Sequence, residues 1–168
     1  IFGNTMHNYR TGLSYINEQY DETLNTIGYK RNEIVPGAFF EYTFTPNPKF
    51  SAIIGLRADY HNYFGLIKTP RVHLKYDFNL NTTLRMSGGS GFKVANILAE
   101  NTNYFVSSRQ FIIKNPANNY GYGLNPEKAW NYGMNILHQF RLYDRAGTFS
   151  IDAYQTQFVN QVVVDLDA

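Results

Sequence analysis

The chain has 168 residues and a mass of 19.4 kDa, enough for one domain with a core. Hydrophobic residues make up 43%, aromatic residues 17% and charged residues only 17%, a balance that excludes disordered and collagen-like chains. With no cysteine, thiolate metal sites, cysteine nucleophiles and disulfide scaffolds fall away, and a net charge of +2 spread over scattered basic residues offers no nucleic-acid surface.

Period-two alternation dominates the chain. The first and weakest strand runs through Tyr9, Thr11, Leu13, Tyr15 and Asn17. In the second, Ala38, Phe40, Tyr42 and Phe44 oppose Phe39, Glu41 and Thr43. The clearest is Phe50 to Tyr60, with Ala52, Ile54, Leu56 and Ala58 on one face and Arg57 and Asp59 on the other. Then Val72, Leu74, Tyr76 and Phe78 alternate with Arg71, His73, Lys75 and Asp77, and Leu84 and Met86 oppose Thr83 and Arg85. Trp130, Tyr132, Met134, Ile136, His138, Phe140 and Leu142 share a face opposite Asn131, Asn135, Gln139 and Arg141. The seventh strand sets Phe149, Ile151 and Ala153 against Ser150 and Asp152.

The predicted connections alternate in length. Thr45 to Pro48, Asn79 to Asn81 and Tyr143 to Gly147 read as short turns, whereas residues 21–30, 62–69 and 91–128 read as long loops. No apolar run of ~18 residues exists, so no transmembrane helix is expected; membrane β-barrels stay open because their strands alternate. Long strands, loops segregated to one end and aromatics gathered near both strand ends point to such a barrel. The ends, Ile1 to Asn4 and Val162 to Ala168, read as cut from a longer chain. The expectation is an all-β, antiparallel up-and-down meander of about seven long strands. Residues 1–168 would form a partial domain, an arc of a larger transmembrane β-barrel.

Four short motifs follow in order. Gly55-Leu56-Arg57-Ala58-Asp59 precedes Pro70-Arg71, then Gly89-Ser90-Gly91-Phe92-Lys93-Val94-Ala95-Asn96, then Leu124-Asn125-Pro126-Glu127. Over roughly residues 34–160 this series resembles the barrel of TonB-dependent outer-membrane receptors, particularly those of Bacteroides-like bacteria. The resemblance implies a 22-stranded barrel in the bacterial outer membrane, filled by a plug domain. It also implies import of a scarce nutrient, such as a ferric siderophore, haem, cobalamin or glycan, driven by TonB through the plug. Outer-membrane lipid, the plug, TonB, the nutrient and a possible surface lipoprotein are the implied partners; plug, TonB box and C-terminal barrel strands fall outside this segment.

No cofactor, metal or catalytic constellation stands out. His7, His61, His73 and His138 lack ligand spacing, Gly88 to Gly91 opens no helix and reads as strand-end glycine chemistry, and Asp21-Glu22 reads as solvated loop charge. No nucleophile elbow or triad is present, so the chain is not expected to be an enzyme. The polar row Arg57, Asp59, Arg71, His73, Lys75 and Arg85 is expected to face the lumen or plug. Nutrient contacts are expected on the 91–128 loop, at Tyr104, Arg109, Asn118, Tyr120 and Tyr122, since tyrosine, asparagine and arginine suit adaptable recognition. The alternatives are a soluble lipocalin-like or carbohydrate-binding β-domain with that loop as its mouth, and a non-transporting outer-membrane barrel.

Overall fold

A computed structural model describes residues 2–24, 26–106, 112–113 and 122–165. Eight strands lie side by side in chain order in one antiparallel sheet: β1 (Phe2–Gly3), β2 (His7–Leu24), β3 (Ile27–Asn47), β4 (Phe50–His61), β5 (Gly65–Asn79), β6 (Thr82–Lys93), β7 (Glu127–Leu142) and β8 (Arg145–Asn160). The seven predicted strands are all present, and the eighth is the two-residue β1. The first and last strands do not pair with each other, so the sheet is an open arc.

Two of the three predicted long loops are strand instead. Residues 21–30 complete a hairpin in which Leu24 pairs with Ile27, and β4 and β5 are joined by residues 62–64 alone. Only the connection from Val94 to Pro126 is long; it carries α1 (Ile97–Glu100) and a 3-10 turn at Thr102–Val106. Asymmetry between the two ends is therefore carried by the projecting β2–β3 hairpin and this one connection. Pro70, expected at a strand start, lies within β5. It has no N–H to donate, and pairing between β5 and β6 begins just after it, at Arg71 and Gly89.

Register carries the alternation across the whole sheet. Phe44, Ala52, Leu74, Met86, Met134 and Ala153 form one continuous apolar row through six strands, because each is the direct partner of the next. Three residues along each strand, on the other face, run Glu41, Gly55, Arg71, Gly89, Asn131 and Thr156. Ile54, Leu56, Leu74, Met86 and Met134 are all exposed, an arrangement that suits a solvent of lipid rather than water. Phe158 departs from the expected outer aromatic band: in the regular β7–β8 register it pairs with Ala129 and shares the parity of Asp152 and Thr156, which puts it on the polar face.

The sheet has little interior. Among the described residues the buried apolar side chains are Ile67, Ala95, Ile97, Tyr122 and Pro126, and the buried polar ones are Arg31, Glu33 and His61. Every one sits at the end of the sheet where the long connection leaves it.

Candidate functional site

The polar face is a lattice of short-range pairs. Arg57 donates through Nε and Nη2 to the Asp59 carboxylate at 2.7 and 2.8 Å, and also to Ser14 Oγ at 2.9 Å. Arg71 donates to Glu41 at 2.6 Å, while Arg10 approaches the other oxygen of that carboxylate at 3.7 Å. Lys75 and Thr83 both donate to Asp77, at 2.8 and 2.7 Å. On the far side, Asn135 donates to Ser150 and Asp152. Residues i and i+2 of a strand share a face, which is why Arg57–Asp59 and Lys75–Asp77 meet along single strands.

Glycines let those side chains lie flat. Phe39 covers Gly12, Asp59 covers Gly37 and Arg71 covers Gly55, each large residue lying over the glycine directly opposite on the preceding strand. Between β4 and β8 the same face holds a shallow groove of about 380 Å³, lined by Ser51, His73, Lys75, Arg85, Asn135 and Asp152 among others. His73 and Arg85 form no hydrogen bond or ion pair among the described residues, so both present free donors to the groove. All six residues of the predicted lumen row thus lie on one face.

The second site is the junction of the long connection with the wall. At its centre the Arg31 guanidinium lies 3.7 Å from the centre of the Tyr20 ring and 4.9 Å from that of Tyr122. Arg31 donates from Nε to Glu33 at 2.7 Å and from Nη1 to Glu22 at 2.9 Å. Tyr122 donates its hydroxyl to the same Glu22 oxygen at 2.6 Å, and that hydroxyl accepts from the Leu98 N–H at 3.4 Å. Burial, then the bond to Glu22, pushes the Tyr122 phenol above its usual range. Glu22 is therefore a half-buried partner in β2 and not the solvated loop charge its sequence position suggested.

His61 closes the cluster. Its Nδ1 accepts the Tyr63 N–H at 3.2 Å, which assigns the neutral ring's proton to Nε2, 3.6 Å from Glu33 Oε2. Phe64 and Phe92 pack against the ring. It stands at the strand end, past Tyr60 and the exposed apolar row. Burial holds the imidazole below its usual range, against the attraction of Glu33. The Gly91-to-Asn96 motif supplies the rest of the junction. Lys93 ion-pairs with Glu100 at 2.6 Å and lies 3.9 Å from Glu127, Ala95 is buried, and Asn96 Oδ1 lies 3.1 Å from the Tyr122 hydroxyl.

Of the predicted loop contacts, Tyr104 is exposed on the 3-10 turn and Tyr122 is buried in the cluster. Arg109, Asn118 and Tyr120 lie outside the described residues. Arg31 and Glu33 do not stand out from the sequence, although the repeated charge at two-residue spacing in Arg31-Asn32-Glu33 is the signal that marks a shared face. Among the described residues no group of three or more histidine, aspartate and glutamate side chains is placed to hold a metal.

A family model described as TonB dependent receptor-like, beta-barrel, matches residues 1–168. No curated protein and no solved structure matches the chain.

Proposed function

Because the chain belongs to the TonB-dependent receptor β-barrel family, we propose that it forms wall and external connection of an importer for a scarce nutrient. A ferric siderophore, haem, cobalamin or a glycan would suit the family. The apolar face meets outer-membrane lipid, and the polar face turns to the lumen, where a plug domain would pack. The observation that carries this is the continuous apolar row from Phe44 to Ala153, exposed from Leu74 onward, on one side of a sheet whose other side is ion-paired. In water such a face would drive aggregation; in a bilayer it is the required surface.

Within this reading Arg10, Arg71, His73 and Arg85 are the donors open to plug or cargo, since Glu41 is shared by two arginines and the other two have no counter-ion in contact. The long connection, fixed at its base by Tyr122, would carry the first contacts with nutrient and with any surface lipoprotein partner, while TonB would drive import through the plug. The test is growth of a receptor-deletion strain on limiting iron chelates, haem, cobalamin or glycans, with and without TonB. A growth defect on one nutrient class, matched by loss of TonB, is expected. Equal growth of deletion and parent strains on all four would overturn the proposal.

A further inference from the structure

The wall is split at the end nearest the long connection. Pairing between β5 and β6 stops at Arg71 and Gly89, yet both strands continue: Gly65 to Pro70 pairs only with β4, and Ser90 to Lys93 only with β7. Alternate backbone amides on the two facing edges have no ladder partner across the gap. Continued across it, the register would set Lys68 opposite Phe92, and Phe92 pairs directly with Lys128. Phe92 does not fill the space between the two lysines, because its ring turns onto His61 and Phe64.

Lys68 pairs with Ala58 and Lys128 precedes Trp130 by two, so both share the apolar outer face. Both are exposed, and neither has a hydrogen bond or ion pair among the described residues. The nearest acid in sequence, Glu127, is on the opposite face, accepting the Val162 N–H and lying near Lys93. One row below, Ser90 has a buried hydroxyl with no partner. Tyr60, Leu66 and Trp130, all exposed, flank the gap as an interfacial belt.

We propose that Lys68, Lys128 and the split edge between them bind the phosphate headgroup of an anionic lipid in the surrounding leaflet. Two unneutralised ammonium groups, spare amide donors and an orphan hydroxyl all call for an oxyanion. Their position on an apolar face at an aromatic belt puts that oxyanion on a molecule whose tail is in the bilayer. The inference rests on the reading that the apolar row meets lipid.

The test is native mass spectrometry of the complete receptor in detergent, titrated with phosphatidic acid, phosphatidylcholine or inorganic phosphate. Wild type is expected to hold phosphatidic acid more tightly than either Lys68→Gln or Lys128→Gln, by about fivefold per lysine and about thirtyfold for the double variant. Phosphatidylcholine binding should be unchanged, and the Lys68→Arg, Lys128→Arg pair should restore the affinity. Equal phosphatidic acid binding by wild type and a folded double variant would overturn the proposal. Inorganic phosphate occupying the site as tightly as the lipid would overturn it too, by showing a free-anion site. Uptake-dependent growth is a separate readout: its loss in the deletion strain tests import, whereas the lipid titration tests this site alone.

Discussion

The Asp59 carboxylate rests on Gly37: a β-carbon at residue 37 would collide with it and stand 2.8 Å from Ser14 Oγ. Those are the two groups that hold the Arg57 guanidinium. A glycine on β3 is thus required by an ion pair on β4, and the requirement is steric rather than conformational, since Gly37 has no positive φ. Gly37→Ala is expected to destabilise the folded barrel by about 1–3 kcal/mol through overpacking and a loosened charge pair. Gly28 has nothing within 4 Å of where its β-carbon would be, so Gly28→Ala should be neutral or stabilise by up to about 1 kcal/mol. Urea unfolding of the refolded receptor in detergent compares the two.

Arg31 is more demanding. Its side chain is 3% exposed and stands between Glu22 and Glu33, so truncation strands two partly buried carboxylates. Arg31→Ala should cost about 3–5 kcal/mol of local stability, seen as accelerated hydrogen exchange in residues 27–33 and 122–126. Because the vacated space is bounded by two tyrosine rings and two carboxylates, guanidinium ion at low concentration should restore protection where potassium does not. Identical effects of both cations would contradict the stacked geometry.

Tyr20 provides a titration. Burial, then its hydroxyl's 2.7 Å bond to Glu18, pushes the phenol up from 10.0 to about 12. A folded-state value above the unfolded one means that the folded hairpin holds the proton more tightly. Its contribution is fully present below pH 10 and is lost as pH rises towards 12. The difference in ultraviolet tyrosinate absorbance between wild type and Tyr20→Phe should have its midpoint near the upper value in folded receptor and fall to the ordinary one in urea. A midpoint at the ordinary value in the folded state would show that the hairpin is open to water.

The strands that cross between lipid and lumen were legible because each residue there has one of two very different solvents. Phe50 to Tyr60 alternates cleanly for that reason, and its register with β3 and β5 follows the same parity. The hairpin tip was not legible. In Gln19, Tyr20, Asp21 and Glu22 both faces are polar, so no period shows, and the stretch reads as loop although every residue is paired. The shared face of the polar row was readable from alternation, but long-range pairing was not: Arg71 reaches Glu41, 30 residues away, and in the second cluster Tyr122 reaches Glu22, 100 residues away. Composition explains why Tyr122 looked like a binding residue, and its burial in the Arg31 cluster shows a structural use of the same chemistry.

Charge on the two faces should have unequal consequences. Met134→Arg places a cation on the lipid-facing row and is expected to cost about 2–4 kcal/mol near the bilayer midplane. Ser87→Arg, one residue from Met86 but on the polar face beside the groove, should cost well under half of that. Unfolding in lipid vesicles gives both numbers under one condition.

The most direct measurement is a nitroxide scan from Ser51 to His61, one engineered cysteine at a time in the complete receptor reconstituted into bilayers. Accessibility to oxygen, which concentrates in lipid, should peak at Ala52, Ile54, Leu56 and Ala58. Accessibility to a water-soluble nickel chelate should peak instead at Ile53, Gly55, Arg57 and Asp59, to the extent that the plug leaves them wet. That period-two exchange of solvents is what a barrel wall with lipid on one face predicts. High chelate accessibility at the even-numbered positions, with no alternation in oxygen, would contradict it.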